Sequence, residues 1–182
     1  IDSGDRENQR IRNIKVKSSI GFFDRFNEFI ERYVSGIKFR TFHYQKVEYT
    51  GDDIAAMFNG RFSRKPVYER FENIAYFIVD RVEDNSFKEF PEEKKHNLAR
   101  QIQKQMVNLF AERNLVKLYV DFLDEMEPEY PGISEYKNEY GKICYEDILP
   151  ILYLQVYFYG CNSYNNIKHL VIDEMQDYTI FQ

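Results

Sequence analysis

A short apolar run, Leu170-Val171-Ile172, stops at two adjacent carboxylates, Asp173 and Glu174, and Gln176 and Asp177 follow closely. These types at this spacing could do phosphate chemistry. A brief, almost wholly apolar run predicts a buried parallel strand. In open α/β folds, ligands sit beyond the carboxyl ends of such strands. There Asp173 can hold a magnesium ion against phosphate oxygens, with Glu174 as a second acidic group beside the metal. Glu174 can also orient and polarise an attacking water. The amide of Gln176 is placed to sense the phosphate. An Asp-Glu pair after a strand equally fits a solvated acidic turn, so the pair alone does not decide between the two. His169, just before the run, fits strand-edge packing.

A second candidate is "GRFSRKPVYER", in which Arg61, Arg64, Lys65 and Arg70 alternate with Phe62 and Tyr68. Basic side chains interleaved with aromatics can grip phosphates and stack on bases, or meet another protein. The same pattern fits solvated cations above aromatics that belong to a core. The tyrosine-rich, acidic stretch 127–142 suits a protein contact better than a nucleic-acid contact.

The elements that must position these residues read as mainly helical. Ser18 or Ser19 can cap a helix carrying Phe22, Phe26, Phe29, Ile30 and Tyr33 on one face, with Gly36 as its stop. The β-forming stretch 38–49 predicts one or two short strands. Thr50 is placed to cap the next helix, with Asp52 and Asp53 in its first turn and Gly60 at its exit. Pro66 and Pro91 each open a helix, and a further helical stripe runs from Leu115 to Met126 after a bend near Asn114. The stretch 145–159 is apolar on most faces and predicts a buried helix, with Pro150 in its first turn or so, where a missing N–H does little harm. The segment 1–17 is polar and basic, and reads as a linker or the frayed end of a preceding segment.

Composition bounds the rest. The chain has 182 residues, 43% of them hydrophobic and 17% aromatic, which suffices for a packed core. A net charge of −5 removes any global attraction to nucleic acid, so a polyanion contact would need a local patch. Two cysteines, Cys144 and Cys161, are too few for a disulfide scaffold, and no Cys/His spacing suits zinc. No signal peptide and no apolar run long enough for a bilayer occurs, so a soluble, cytoplasmic setting without membrane partners is expected.

The string "VIDEMQDYTIFQ" resembles motif II of superfamily-1 helicases of the UvrD/Rep type, roughly two apolar residues followed by Asp-Glu-x-Gln-Asp. The match covers Asp173, Glu174, Gln176, Asp177 and Gln182. Upstream, "YEDILPILYL" resembles the helix that precedes that motif. Together the two are most similar to the HelD, helicase-IV-like branch. Met175 and Ile180 depart from the commoner residues there, at positions that do not touch the ion.

The resemblance implies ATP and Mg2+ as cofactors. It assigns Glu174 and Gln176 to catalysis, Asp173, Asp177 and Gln182 to the nucleotide, and Asp173 with Glu174 to the metal. It implies DNA and RNA polymerase as partners of the whole protein. No Gly-x-x-x-x-Gly-Lys-Ser/Thr phosphate loop occurs in the 182 residues, so the chain is expected to be an internal segment of a larger ATPase, inactive alone. The expected order is a linker or the end of a preceding ATPase segment at 1–17, a helical insertion with a short β segment at 18–140, and at 141–182 a returning helix and strand of a P-loop NTPase α/β domain. A stand-alone, non-enzymatic helical interaction module is the rival expectation. A phosphate loop upstream and arginine-bearing motifs downstream in the reading frame would separate the two.

Overall fold

A computed structural model describes residues 3–44, 46–107, 113–138 and 140–161. The expected strand and motif at 167–182 lie outside the described residues. The described chain is mainly helical, with one short antiparallel hairpin. Its elements are α1 (Ser3–Lys17), α2 (Ile20–Ser35), β1 (Phe42–Tyr44), β2 (Val47–Tyr49), α3 (Gly51–Ala56), a π-helical turn (Met57–Arg61), α4 (Val67–Ser86), α5 (Glu92–Val107), α6 (Leu115–Met126) and α7 (Tyr145–Tyr159). None of these helices is long and apolar enough to cross a membrane.

The chain divides into two compact units, and the second is inserted in sequence between α2 and α6. The first unit draws on residues 1–34 and 112–155, the second on 35–111 and 156–160.

The first unit is organised by aromatics at helical spacing. Phe22, Phe26, Phe29 and Ile30 bury one face of α2, and Leu118, Tyr119, Phe122, Leu123 and Met126 bury one face of α6. Phe26 and Phe122 lie 4.8 Å apart between ring centres, and Phe22 meets Phe122 edge-on at 5.2 Å. Offset and edge-on arrangements suit the ring quadrupoles better than face-to-face stacking, and add about 0.5–1.5 kcal/mol per pair beyond burial. Ser19 caps α2 by accepting from the Phe22 N–H at 3.2 Å, and Asn114 caps α6 by accepting from the Val116 and Lys117 N–H groups.

The segment 1–17, expected as a linker or the end of a preceding segment, carries the helix α1. Its composition hides it, because Ile11, Ile14 and Val16 are too sparse for an apolar stripe. A polar contact anchors it. Lys17 is 3% exposed and its Nζ sits 2.7 Å from Oδ1 of Asp147, which is 0% exposed. The Tyr119 hydroxyl donates to the same carboxylate at 2.5 Å. The loop 127–144 closes on α1 as well, with the Gln9 amide donating to the Pro131 carbonyl at 2.6 Å. Gly132 follows at φ 78°, a left-handed conformation in which a side chain would also collide with Gln9.

The second unit has its own core. β1 and β2 pair with Phe42 opposite Tyr49. Thr50 forms a capping box with Asp53: the Asp53 N–H donates to the Thr50 hydroxyl at 3.1 Å and the Thr50 N–H donates back to the carboxylate at 2.9 Å. α4 and α5 form a helical hairpin burying Phe71, Ile74, Ile78 and Val82 against Leu98 and Ile102. Phe58 and Phe71 approach to 4.8 Å, and Phe39 reaches Phe58 at 5.2 Å.

α7 corrects one expectation. It buries Asp147, Pro150, Leu154 and Phe158, a single face. Ile148, Leu152 and Val156 on the other side are 40%, 51% and 50% exposed, so the helix is not buried all round. Apolarity on every face does not by itself say which face the described fold covers.

The buried contact of Lys17 with Asp147 makes α1 part of the fold. Replacing Asp147 by Ala leaves an ammonium buried and unpaired, and is expected to lower stability by about 3–5 kcal/mol. Urea unfolding reads this as a lower midpoint. The double variant Lys17→Met, Asp147→Leu should recover most of the loss, whereas a single-variant effect below about 1 kcal/mol would mean the pair is not structural.

Candidate functional site

Asp173, Glu174, Gln176, Asp177 and Gln182, the expected magnesium and nucleotide residues, all lie outside the described residues. The described candidate is the basic stretch that leaves the π-helical turn. Such turns insert an extra residue into a helix and are frequent at functional sites. Here it ends at Arg61 and hands over to a tight turn, in which the Lys65 N–H donates to the Phe62 carbonyl at 2.9 Å. Pro66, with its fixed φ, then opens α4.

The four cations of this stretch are not equivalent. Arg70 is 7% exposed, its Nε donates to the Lys65 carbonyl at 2.7 Å, and its guanidinium lies 5.2 Å from the Phe58 ring centre. It ties the turn to the core and is not presented to solvent. Lys65 pairs with Glu69 one helical turn on, at 2.6 Å. Arg61 is exposed, but its guanidinium stacks 4.5 Å from Phe77 and 5.4 Å from Phe62. Arg64 is exposed and makes no ion pair to a described residue. The aromatics are also committed: Tyr68 packs 4.5 Å from Tyr159 and 6.3 Å from Phe71. Of the expected patch, Arg61 and Arg64 remain the cations open to a phosphate or a carboxylate.

Two features had no single-residue signal in sequence. The first is a cavity of about 480 Å³ in the second unit, floored by Ile54, Ile102 and Met106, with Arg40, Thr41 and Gln105 among its polar lining. Its walls come from three separate elements, which no local spacing announces. The second is the group formed by Cys144, Glu146 and Asp147, whose ligand atoms lie within 4.8 Å of one another. Three such groups could hold a cation, but the Lys17 ammonium already sits against Asp147. Burial, the largest influence, pushes the Asp147 carboxyl above its ordinary value, and Lys17 and Tyr119 partly oppose this. Burial likewise raises the Cys144 thiol, with Glu146 and Asp147 adding to the effect, so Cys144 is a poor thiolate ligand. The group is the rim of a buried ion pair.

Arg70 and Arg64 should therefore separate experimentally. Arg70→Ala loses a hydrogen bond and a stacked, buried stem, and is expected to lower stability by about 1–3 kcal/mol. Arg64→Ala should stay within about 0.5 kcal/mol, as exposed substitutions do. Chemical denaturation of the two variants checks this, and equal effects would contradict the assignment. Comparison with known proteins finds no matching family model, no matching curated protein and no matching solved structure.

Proposed function

We propose that the chain is a segment of a superfamily-1, helicase-like ATP-driven motor, nearest the HelD branch, acting in the cytoplasm on DNA and RNA polymerase. The observation that carries this reading is the string "VIDEMQDYTIFQ" after "YEDILPILYL", two motifs in the order and separation the family uses. In this reading the helical stretch 18–140 is the partner-binding arm.

In this reading Asp173, aided by Glu174, binds the magnesium of magnesium-ATP, whose chemistry is to shield phosphate charge. Glu174 orients the attacking water and accepts its proton. Gln176 reads the phosphate, and Asp177 and Gln182 hold the nucleotide and its surroundings in register. Phosphoryl transfer depends mainly on positioning and charge stabilisation, so every missing part matters. The 182 residues contain no phosphate loop with its Lys and hydroxyl, and a longer chain must supply them.

In the longer protein, Glu174→Gln keeps the shape of the side chain and removes the base. ATP turnover should fall by about 100-fold or more while ATP binding is retained. Near-normal turnover would overturn the reading. The 182-residue chain by itself should hydrolyse no ATP and bind it weakly, because one or two carboxylates hold Mg2+ poorly without a phosphate cradle. Titration calorimetry with magnesium and ATP checks this, and binding tighter than about 10 μM, roughly 7 kcal/mol, would place a nucleotide site elsewhere in the chain.

A further inference from the structure

The turn joining α4 to α5 handles its two phenylalanines in opposite ways. Phe90 is 8% exposed and packs inward, with the Lys94 ammonium 3.4 Å above its ring centre. Phe87 is 95% exposed and holds the left-handed conformation, φ 53° and ψ 25°, at the end of α4. Among the described residues it is the one non-glycine with positive φ. Helices commonly end this way on Gly or Asn, which carry little steric penalty there. A phenylalanine at that position is strained, and its ring gains no burial in return.

The surrounding turn is firmly built. The Ser86 hydroxyl donates to the Glu83 carbonyl at 2.8 Å and accepts from the Lys88 N–H at 3.3 Å. The Glu83 carboxylate accepts from the Phe90 N–H and pairs with Lys95, each at 2.6 Å. Lys95, and then the Phe90 N–H, hold that carboxyl below its ordinary value. Phe87 is thus displayed on a rigid base, which removes much of the ordering cost of binding.

We propose that this turn is a protein-docking element, with Phe87 as the anchor for an apolar pocket rimmed by Lys or Arg on another protein. Charge selects the partner. The depression beside Phe87 is lined by Glu83, Asp84, Glu89 and Glu92 against Lys88 and Lys95, four carboxylates to two ammoniums, a net of −2. Glu83 is taken by Lys95, and Asp84 faces Arg81 at 3.5 Å. With those pairs set aside, Glu89 and Glu92 outnumber Lys88 and leave a net of −1 to address the partner. This small acidic excess favours a cationic rim over DNA phosphates or anionic lipid, although an exposed aromatic wedge could otherwise enter either. The proposal stands independently of the ATP-site reading.

The test places the photo-crosslinker p-benzoylphenylalanine at position 87 of the full chain in its native cells, with position 97, exposed on α5, as control. The expected result is a protein adduct specific to position 87, mapped by mass spectrometry to an apolar pocket with flanking Lys or Arg. Glu89→Lys with Glu92→Lys should reduce the adduct by at least about tenfold, since like charges then face each other. With the identified protein purified, Phe87→Gly should weaken binding by at least about tenfold, the scale of an aromatic anchor. The thermal midpoint of that variant should stay level or rise, because Gly relieves the left-handed strain. Four outcomes each overturn the proposal: no adduct above the control, adducts confined to DNA or lipid, an adduct indifferent to charge reversal, or a lowered midpoint for Phe87→Gly, which would make Phe87 structural.

Discussion

The first unit depends on a charge taken out of water. Lys17 at the end of α1 and Asp147 in the first turn of α7 meet 2.7 Å apart with almost no solvent access. Desolvating two ions costs several kcal/mol each, and attraction repays this only where the remaining polar atoms also find partners. They do so here. The Tyr119 hydroxyl donates to the carboxylate, the Glu135 carbonyl stands 3.5 Å from the ammonium, and the N-terminal end of α7 favours a negative charge. No buried side-chain nitrogen or oxygen among the described residues lacks a hydrogen-bond partner. The Asp147 carboxyl is nonetheless pushed above its ordinary value, so burial outweighs the favourable partners. A raised carboxyl favours the fold most at low pH and loses that contribution as pH rises through its folded value. A buried pair of this kind is weak evidence of net stability. Its effect is to decide which residues meet, since α1, the loop before α7, α6 and α7 must all arrive together to satisfy it.

The second unit is stabilised differently. It has no comparable buried ion pair among the described residues, and relies on aromatic packing around Phe58 and Phe71 and on local caps. Two cations of its basic stretch are drawn inward or sideways. Arg70 serves the turn before α4 and Arg61 lies on Phe77. A basic sequence stretch therefore yields a much smaller basic surface. Cation–π stacking is worth about 0.5–1 kcal/mol at exposed sites, enough to fix a side chain yet not enough to withhold it from a strong anionic partner.

What could be read from the sequence followed the strength of the local signal. The stripes of α2 and α6, the helices opening at Pro66 and Pro91 and the cap at Thr50 are periodic or chemically distinctive, and they appear where the pattern places them. The helix α1 escaped, because its anchor is a single lysine whose partner lies 130 residues away. The exposed face of α7 escaped for the converse reason: residue type reports affinity for a core but not which core is at hand. At the candidate site the residue types of the basic stretch were legible, whereas Arg70's burial was not, since it depends on where Phe58 and the Lys65 carbonyl come to rest. The Asp-Glu motif was the strongest chemical signal in the sequence and falls outside the described residues.

Local preference and global fold agree through most of the described chain, as expected of sequences with one dominant native state. Caps sit where caps are needed, and glycine supplies the other positive φ angles, at Gly132, Gly141 and Gly160. A break in that agreement is therefore informative. Gly160 ends α7 in the left-handed conformation against Pro66, where a side chain would intrude. Phe87 ends α4 in the same conformation with a large apolar ring in water. A left-handed non-glycine residue costs on the order of 1–2 kcal/mol, and an exposed ring recovers almost none of it by burial. The fold offers cheaper solutions for the same turn, and uses one at the end of α7. Sites that break a local rule without structural return are where function is usually found, and the turn's own hydrogen bonds set the backbone from which the Phe87 ring stands 95% exposed.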